Sequence, residues 1–469
     1  MQKMTRVDVL KKWSPFIIII GFVIFKVQDL FLPYFWDEAW SYIVAIKAMV
    51  ISGPSLIPNS IPPDLYRGHP LLFYFLSASW ITLFGPEIWK VKLFMLFISI
   101  ALLLSVFSFA KRNFNYQTAI ISLVFLVIQS VFIVQSTLVL PEIMLALFTV
   151  LSLKAYLERK RMLVVFWLIL ALYTKESAIV IYMTILFFEI VDVWKNKERK
   201  LFDIIYLGIP PLFVLLFFVA QRVIVGWFFF PEHIAFLSLD AFFSRFLGYS
   251  TNLFVFMGRN MLTFTGFAAL VILLIKKDPL LFEKKKERSV LTFFIVAYLL
   301  FSAVNFYSPR YLLSILPFVI LIWVFFIGTL VKKYHFVIQI VVLLILFSNN
   351  LYFTINKRGG DDHTLGYRDL IYVQKEIISY CEQENLYSEN LFTHFLMLHN
   401  LQNADLGYIR GDSIFVNANS RFSADTEFAI ISANEFDPAV YAEIQSRSQL
   451  IKRFEKNGAW CELYQVRGE

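Results

Sequence analysis

The sequence predicts a polytopic all-α membrane bundle of about eleven transmembrane helices, followed by a small C-terminal α/β domain outside the membrane. Three observations carry that expectation. The 469 residues are 58% hydrophobic and only 17% charged, with a mean hydropathy of +0.66, whereas soluble domains carry about 25% charged residues. Apolar runs long enough to cross a bilayer recur as far as residue 354 and then stop. The basic residues gather in short clusters between those runs, on alternate sides.

A span needs roughly 17–25 mostly apolar residues. Such runs fall near 14–32, 92–110, 117–135, 138–157, 162–174, 177–193, 202–224, 254–275, 290–306, 311–330 and 336–354. Lys3, Arg6, Lys11 and Lys12 precede the first run; its length and the lack of a small-residue cleavage site mark it as a retained span. With the N-terminus cytoplasmic, the inner loops hold Lys111-Arg112, Arg159 to Arg161, Lys195 to Lys200, Lys276 to Arg288 and Lys332-Lys333. All are basic, as the positive-inside rule requires. The formal charge of +8 therefore reports topology in a plasma (inner) membrane, and nucleic acid is not expected as a partner. An odd number of spans divides the chain into a transmembrane unit, 1–355, and an extracytoplasmic unit, 356–469.

Residues 70–84 are apolar but too short to span, and a crossing there would invert every later loop. They are expected to lie along the outer surface, inside a first outer loop running from about Pro33 to Val91. Loops of that length are usually functional.

In the tail, a helix pattern over Tyr367–Glu384 precedes a strand at 391–393, a second helix, and a strand at 428–431. A helix from Pro438, capped by Asp437, leads into strands near 450–454 and 459–466. Cys381 and Cys461 cannot form a disulfide framework. One bridge between them or two separate buried thiols are both open.

The candidate chemistry lies at the outer ends of the spans. Asp37-Glu38 follows the first span within FLPYFWDEAWSY. Its plainer reading is an acid pair at a helix N-terminus within an interfacial aromatic belt. A carboxylate in such a partly dry site also suits a base for a sugar hydroxyl. His69 precedes a proline turn and could bind substrate or metal. Glu142 opens the fourth span, where free N–H groups alone would explain it. Lys175-Glu176 lies between two short spans and reads equally as an ion pair at a turn. Arg310-Tyr311 begins a late span that carries Pro317, and Arg222, Arg245 and Arg259 fall on the same side. Singly, such cations snorkel to headgroups; together with the acids they outline a site for an anionic lipid headgroup. Asp361, Asp362 and His363 form only a weak metal-binding pattern. No Walker motif, GxGxxG, HExxH or CxxC occurs.

Taken in order, these pieces resemble membrane glycosyltransferases of the C-type (GT-C) fold, in particular the protein O-mannosyltransferase-like family and the lipid A aminoarabinose transferases. The resemblance rests on Asp37-Glu38, on His69 to Gly85, on Leu140-Pro141-Glu142 and on Tyr173 to Glu176. It continues through Pro309 to Leu313 with Leu316-Pro317, so that most of residues 30–320 is covered. The family's double proline after His is Pro70-Leu71 here, and Glu142 stands where an Asp is usual.

The resemblance implies an enzyme that moves a sugar from a polyprenyl- or dolichyl-phosphate donor, on the outer face, to an acceptor that is a lipid, a glycan or a protein. Asp37 would be the general base of an inverting displacement, with Glu38 and Glu142 as companion acids. Lys175, Arg310, Tyr311 and His69 would hold the donor phosphate, and Arg222 and Arg259 a secondary phosphate or the acceptor. A divalent metal ion is left open as a cofactor, with Asp37, Glu142 and His69 as candidate ligands. The rival is a polytopic lipid or sugar transporter or flippase, which would place ionisable residues at mid-membrane and show repeated broken helices.

Overall fold

The structure is a computed structural model that describes residues 6–196, 200–281 and 283–467. Lys3 and residues 197–199 of the loop Lys195 to Lys200 lie outside the described residues.

A helix occupies each stretch read as a span, but the count of eleven crossings is not fixed. Among the described residues, five helices are long and apolar enough to cross alone, or six if the pair Phe242–Phe254 and Arg259–Ile275, bent by 86°, forms one span. Several of the others are interrupted. The third predicted span is two helices, Tyr116–Val127 and Ser130–Gln135, the first opened by the Asn115 side chain accepting from the Thr118 N–H at 2.8 Å. Pro317, expected inside a span, sits in the first turn of Leu316–Val331, after a tight 3-10 turn over Pro309–Ser314. Proline is tolerated there because the first-turn N–H groups have no partner inside the helix.

Glu142–Leu157 and Leu316–Val331 are buried nearly all round and form the centre of the bundle. Glu142–Leu157 packs on Ile88–Asn113 and Arg161–Thr174. Leu316–Val331 packs on Tyr116–Val127 and Arg259–Ile275. Large apolar side chains such as Phe202, Phe264, Ile275 and Phe336 face outward, which suits hydrocarbon as solvent.

The first outer loop is folded. It holds a π-type turn Glu38–Tyr42, a helix Ile43–Ser52 that the sequence reading did not anticipate, a short turn of helix Pro63–Tyr66, and Leu72–Phe84. Leu72–Phe84 buries one face against Ile43–Ser52 and Ile88–Asn113.

After helix Phe336–Asn356 the chain enters a four-stranded sheet unit. Strands β1 (Leu391–Thr393), β2 (Phe428–Ser432), β3 (Ser448–Lys456) and β4 (Ala459–Val466) take the order β1-β2-β4-β3. β1 and β2 are parallel; the other pairs are antiparallel. Helix Gly366–Gln383 packs on β3 and β4, while Ala429 and Ile431 join Ile444 of helix Pro438–Arg447 in a small core of their own. Asp437 caps that helix through Ala439 N–H at 2.7 Å. Cys381 and Cys461 are both free and buried.

This unit is tied to the bundle by buried polar contacts. Asp29 receives Tyr367 Oη at 2.8 Å and Arg368 at 2.7 Å. Tyr34 N–H donates to the Leu406 carbonyl at 3.0 Å, and Gln135 Nε2 to that of Asp362 at 2.7 Å.

Candidate active site

The outer loop turns sharply at Trp36, whose φ of 53° is rare for a bulky residue. Asp37 and Glu38 follow it in a helical turn and point to different partners. Neither acid caps the following turn in the way a helix N-terminal pair would: Asp37 makes no such bond, and its Oδ1 accepts from Trp40 Nε1 at 3.0 Å. Its other oxygen pairs with Arg310. Arg67 lies with its guanidinium 4.1 Å from the Trp40 ring centre.

Arg310 is the hub. Its guanidinium pairs with Asp37 and Asp362, and Nε approaches Glu142 Oε1 at 3.5 Å. The 3-10 turn that presents it is fixed by Tyr249 Oη, which accepts the Ser308 N–H at 3.1 Å. Lys175 reaches the same carboxylate from an extended residue between two helices, Nζ to Glu142 Oε1 at 3.0 Å. It also stands 4.1 Å from the centre of the Tyr311 ring. Asp37, Glu142, Lys175, Arg310 and Tyr311, widely separated in sequence, thus meet in one buried cluster. The other oxygen of Glu142 is buried and finds no hydrogen-bond partner among the described residues.

Burial opposes ionisation of Asp37, yet the neighbouring Arg310 charge holds its carboxyl below the usual range. At Asp362 burial wins, and its carboxyl is pushed up despite the same guanidinium. One arginine therefore serves two carboxylates with opposite tendencies.

Other expected site residues lie elsewhere. Glu38 is fully buried and committed to structure: it accepts from Phe35 N–H at 2.8 Å and Val139 N–H at 2.9 Å, and pairs with Lys92 at 3.4 Å. His69 pairs through Nδ1 with Glu176 at 2.9 Å, and its ring lies tilted 5.0 Å from that of His233, so it borders the cluster without entering it. Arg259 is occupied: it donates to the carbonyls of Asn252 and Leu253 and to Gln129 Oε1 at 2.9 Å. Those carbonyls end helix Phe242–Phe254, so Arg259 holds the 86° bend rather than offering a phosphate site. Arg222 is exposed near the end of Ile209–Val225 and joins none of these contacts.

The three candidate metal ligands do not form a donor set. Asp37 and Glu142 face cations, His69 faces Glu176, and among the described residues no three His, Cys, Asp or Glu side chains gather as a metal group. As placed, these three side chains do not fit a resident metal ion.

Asp362 was missed as a member of the cluster. In sequence it belongs to the tail, and only the docking of that unit on the bundle brings it to Arg310.

Residues 68–225, which include His69, Glu142 and Lys175, match the family described as dolichyl-phosphate-mannose-protein mannosyltransferase. The fold is similar to that of ArnT from Cupriavidus metallidurans, in the crystal structure bound to undecaprenyl phosphate (TM-score 0.54, 14% identity, 97% of each chain covered). The apo structure of the same protein gives a TM-score of 0.52 at 12% identity, covering 95% of this chain and 97% of that one. No curated protein sequence matches significantly. The chain is a GT-C-fold membrane protein, and the expected likeness to the mannosyltransferase and aminoarabinose transferase group holds.

Proposed function

We propose that the chain is a glycosyltransferase using a polyprenyl-phosphate sugar at the outer face of the membrane, with the N-terminus cytoplasmic and the sheet unit outside. The observation that carries this reading is the meeting of Asp37, Glu142, Lys175 and Arg310 around Tyr311. The match over residues 68–225 and the undecaprenyl phosphate bound to the ArnT of the same fold support it.

The chemistry follows from charge. As the bond between the anomeric carbon and the phosphate oxygen breaks, the electron pair leaves with the polyprenyl phosphate. Lys175 and Arg310 neutralise that oxygen anion in a site of low dielectric, where fixed charges act most strongly. The acceptor hydroxyl attacks from the opposite face, its oxygen bonds to the anomeric carbon, and its proton passes to Asp37. Configuration inverts, as in other single displacements with a general base. Donor phosphate competes with Asp37 for Arg310, and a carboxylate released from its guanidinium becomes the stronger base.

The test compares wild type with Asp37→Asn at equal yield, following sugar release from a polyprenyl-phosphate sugar. A fall of about 10²–10⁴-fold is expected for loss of a general base. Equal turnover would remove Asp37 from the reaction.

A further inference from the structure

We propose that the cavity between the outer loop and the sheet unit binds a saccharide, and that it selects a neutral or amine-bearing pyranose as the acceptor's reacting end. The proposal deepens the glycosyltransferase reading and rests on it for the word acceptor; the binding itself does not.

The cavity measures ≈ 490 Å³, within the range of small-molecule sites. Its wall includes Trp36, Gly360, Asp361, Asn434, Asn457 and Gly458, drawn from the outer loop, the linker after the last bundle helix, the end of β2 and the β3–β4 turn. Two residues point to sugar. Trp36 is held at a φ of 53°, a strained conformation of the kind that persists where surrounding structure fixes a functional side chain. An indole face suits the C–H surface of a pyranose. Asn434 has its Oδ1 occupied by Ser432 Oγ at 2.9 Å, while its Nδ2 is buried and finds no partner among the described residues. That donor calls for an oxygen acceptor such as a hydroxyl.

The charge of the wall sets the class. Its one cation, Arg358, is paired with Asp369 at 2.6 Å, and Asn457 Nδ2 donates to the same carboxylate at 3.0 Å. Asp361 stands half exposed at 48%, near His363 at 3.3 Å. A phosphate entering here meets carboxylates and a cation already engaged, whereas a hydroxyl or ammonium group meets acceptors. This is the reverse of the Lys175–Arg310 end. The two ends adjoin through the chain, since Trp36 and Asp361 precede Asp37 and Asp362, the two carboxylates paired with Arg310. Gly360 leaves little room for a side chain beside Asn434: a Cβ there would stand 3.2 Å from Leu370 and 3.3 Å from Asn434.

The full chain in nanodiscs is examined by saturation-transfer NMR with methyl glucoside, glucosamine and glucose 6-phosphate, and, in a second arm, with a glucosyl lipid in the bilayer. Undecaprenyl phosphate binding is measured in parallel. Saturation of the neutral or amine sugar, with little on the sugar phosphate, is expected. Asn434→Ala and Trp36→Leu should each reduce it at least fivefold while undecaprenyl phosphate still binds and the thermal midpoint holds in Asn434→Ala. The arm that shows this dependence names the source, free glycan or glycolipid headgroup. Saturation unaltered by both variants, preference for the sugar phosphate, or no saturation in either arm overturns the proposal. Lys175→Ala keeps the two readings apart: sugar saturation that survives while undecaprenyl phosphate binding proves independent of Lys175 would sink the phosphate assignment and leave this site standing.

Discussion

Arg310 and Asp37 are 273 residues apart in the chain and form an ion pair in a nearly closed site, the arginine side chain being 7% exposed. Nothing local puts them together. The pair exists because a 3-10 turn at the mouth of one helix and a left-handed turn after another aim at the same point.

Arg310→Lys should therefore fail as a conservative change. A lysine offers one compact charge where the guanidinium serves Asp37, Asp362 and Glu142 together. Per folded molecule, donor kcat/KM is expected to fall about 10²–10³-fold, the usual cost of removing one group that stabilises transition-state charge, alongside a lower thermal midpoint as buried carboxylates lose their partner.

The pH profile supplies an independent check. Burial works to raise the Asp37 carboxyl, but Arg310 holds it below the ordinary range, so Asp37 is ionised at neutral pH and stays ionised below the usual carboxylate value of about 3.9. On kcat/KM the acid limb set by Asp37 should lie below that value in wild type. In Arg310→Gln the limb should move up, because the burial remains and the cation does not. A limb that stays in place would show that Asp37 is not the titrating base.

Asp362 leads to a prediction of opposite sign. Burial raises its carboxyl, and a donor phosphate beside Arg310 adds negative charge that raises it further. Donor binding should take up a proton, and affinity should strengthen as pH falls from neutral toward the raised value. Calorimetry in buffers of different ionisation enthalpy measures the uptake directly. Asp362→Asn should abolish it and lower the donor KM, while Asp37→Asn acts on kcat.

How much of this could be read beforehand differs by link in the chain of argument. Asp37, Glu142, Lys175 and Arg310 were legible because each ends an apolar run on one side of the positive-inside pattern. The tail's strands were legible as short apolar runs, and its last helix from Asp437 before Pro438. Asp362 was not, because the sheet unit's docking depends on Asp29, Tyr367 and Arg368 meeting across 338 and 339 residues. Glu38 looked like the twin of Asp37; successive residues of a helical turn point about 100° apart, so one carboxylate meets Arg310 and the other turns inward to Lys92. Helix Ile43–Ser52 escaped because a ten-residue apolar helix is too short for a span and carries no polar face to give it a period.

Glu38→Gln should lose stability, not chemistry. The amide oxygen can still receive the Phe35 or the Val139 N–H, but Lys92, 1% exposed, is left without its counter-charge. Breaking a buried pair costs about 3–5 kcal/mol. The folded fraction and thermal midpoint should drop, and the protein that remains folded should turn over donor at the wild-type rate per molecule.

Arg259 separates a structural cation from a substrate-binding one. Its guanidinium satisfies the carbonyls of Asn252 and Leu253, where helix Phe242–Phe254 ends, and also Gln129. Gly258, at a φ of 75°, turns the chain there, and a Cβ on it would come within 2.6 Å of Asn350 Cα. In Arg259→Ala those buried acceptors lose their donor, at about 1–3 kcal/mol for each group left unsatisfied. The bend should loosen, seen as a lower thermal midpoint and faster amide exchange over residues 250–262. Donor KM should stay within about twofold of wild type, since no face of the guanidinium is spare for a phosphate. A raised KM at an unchanged midpoint would reverse this assignment and return Arg259 to the binding site.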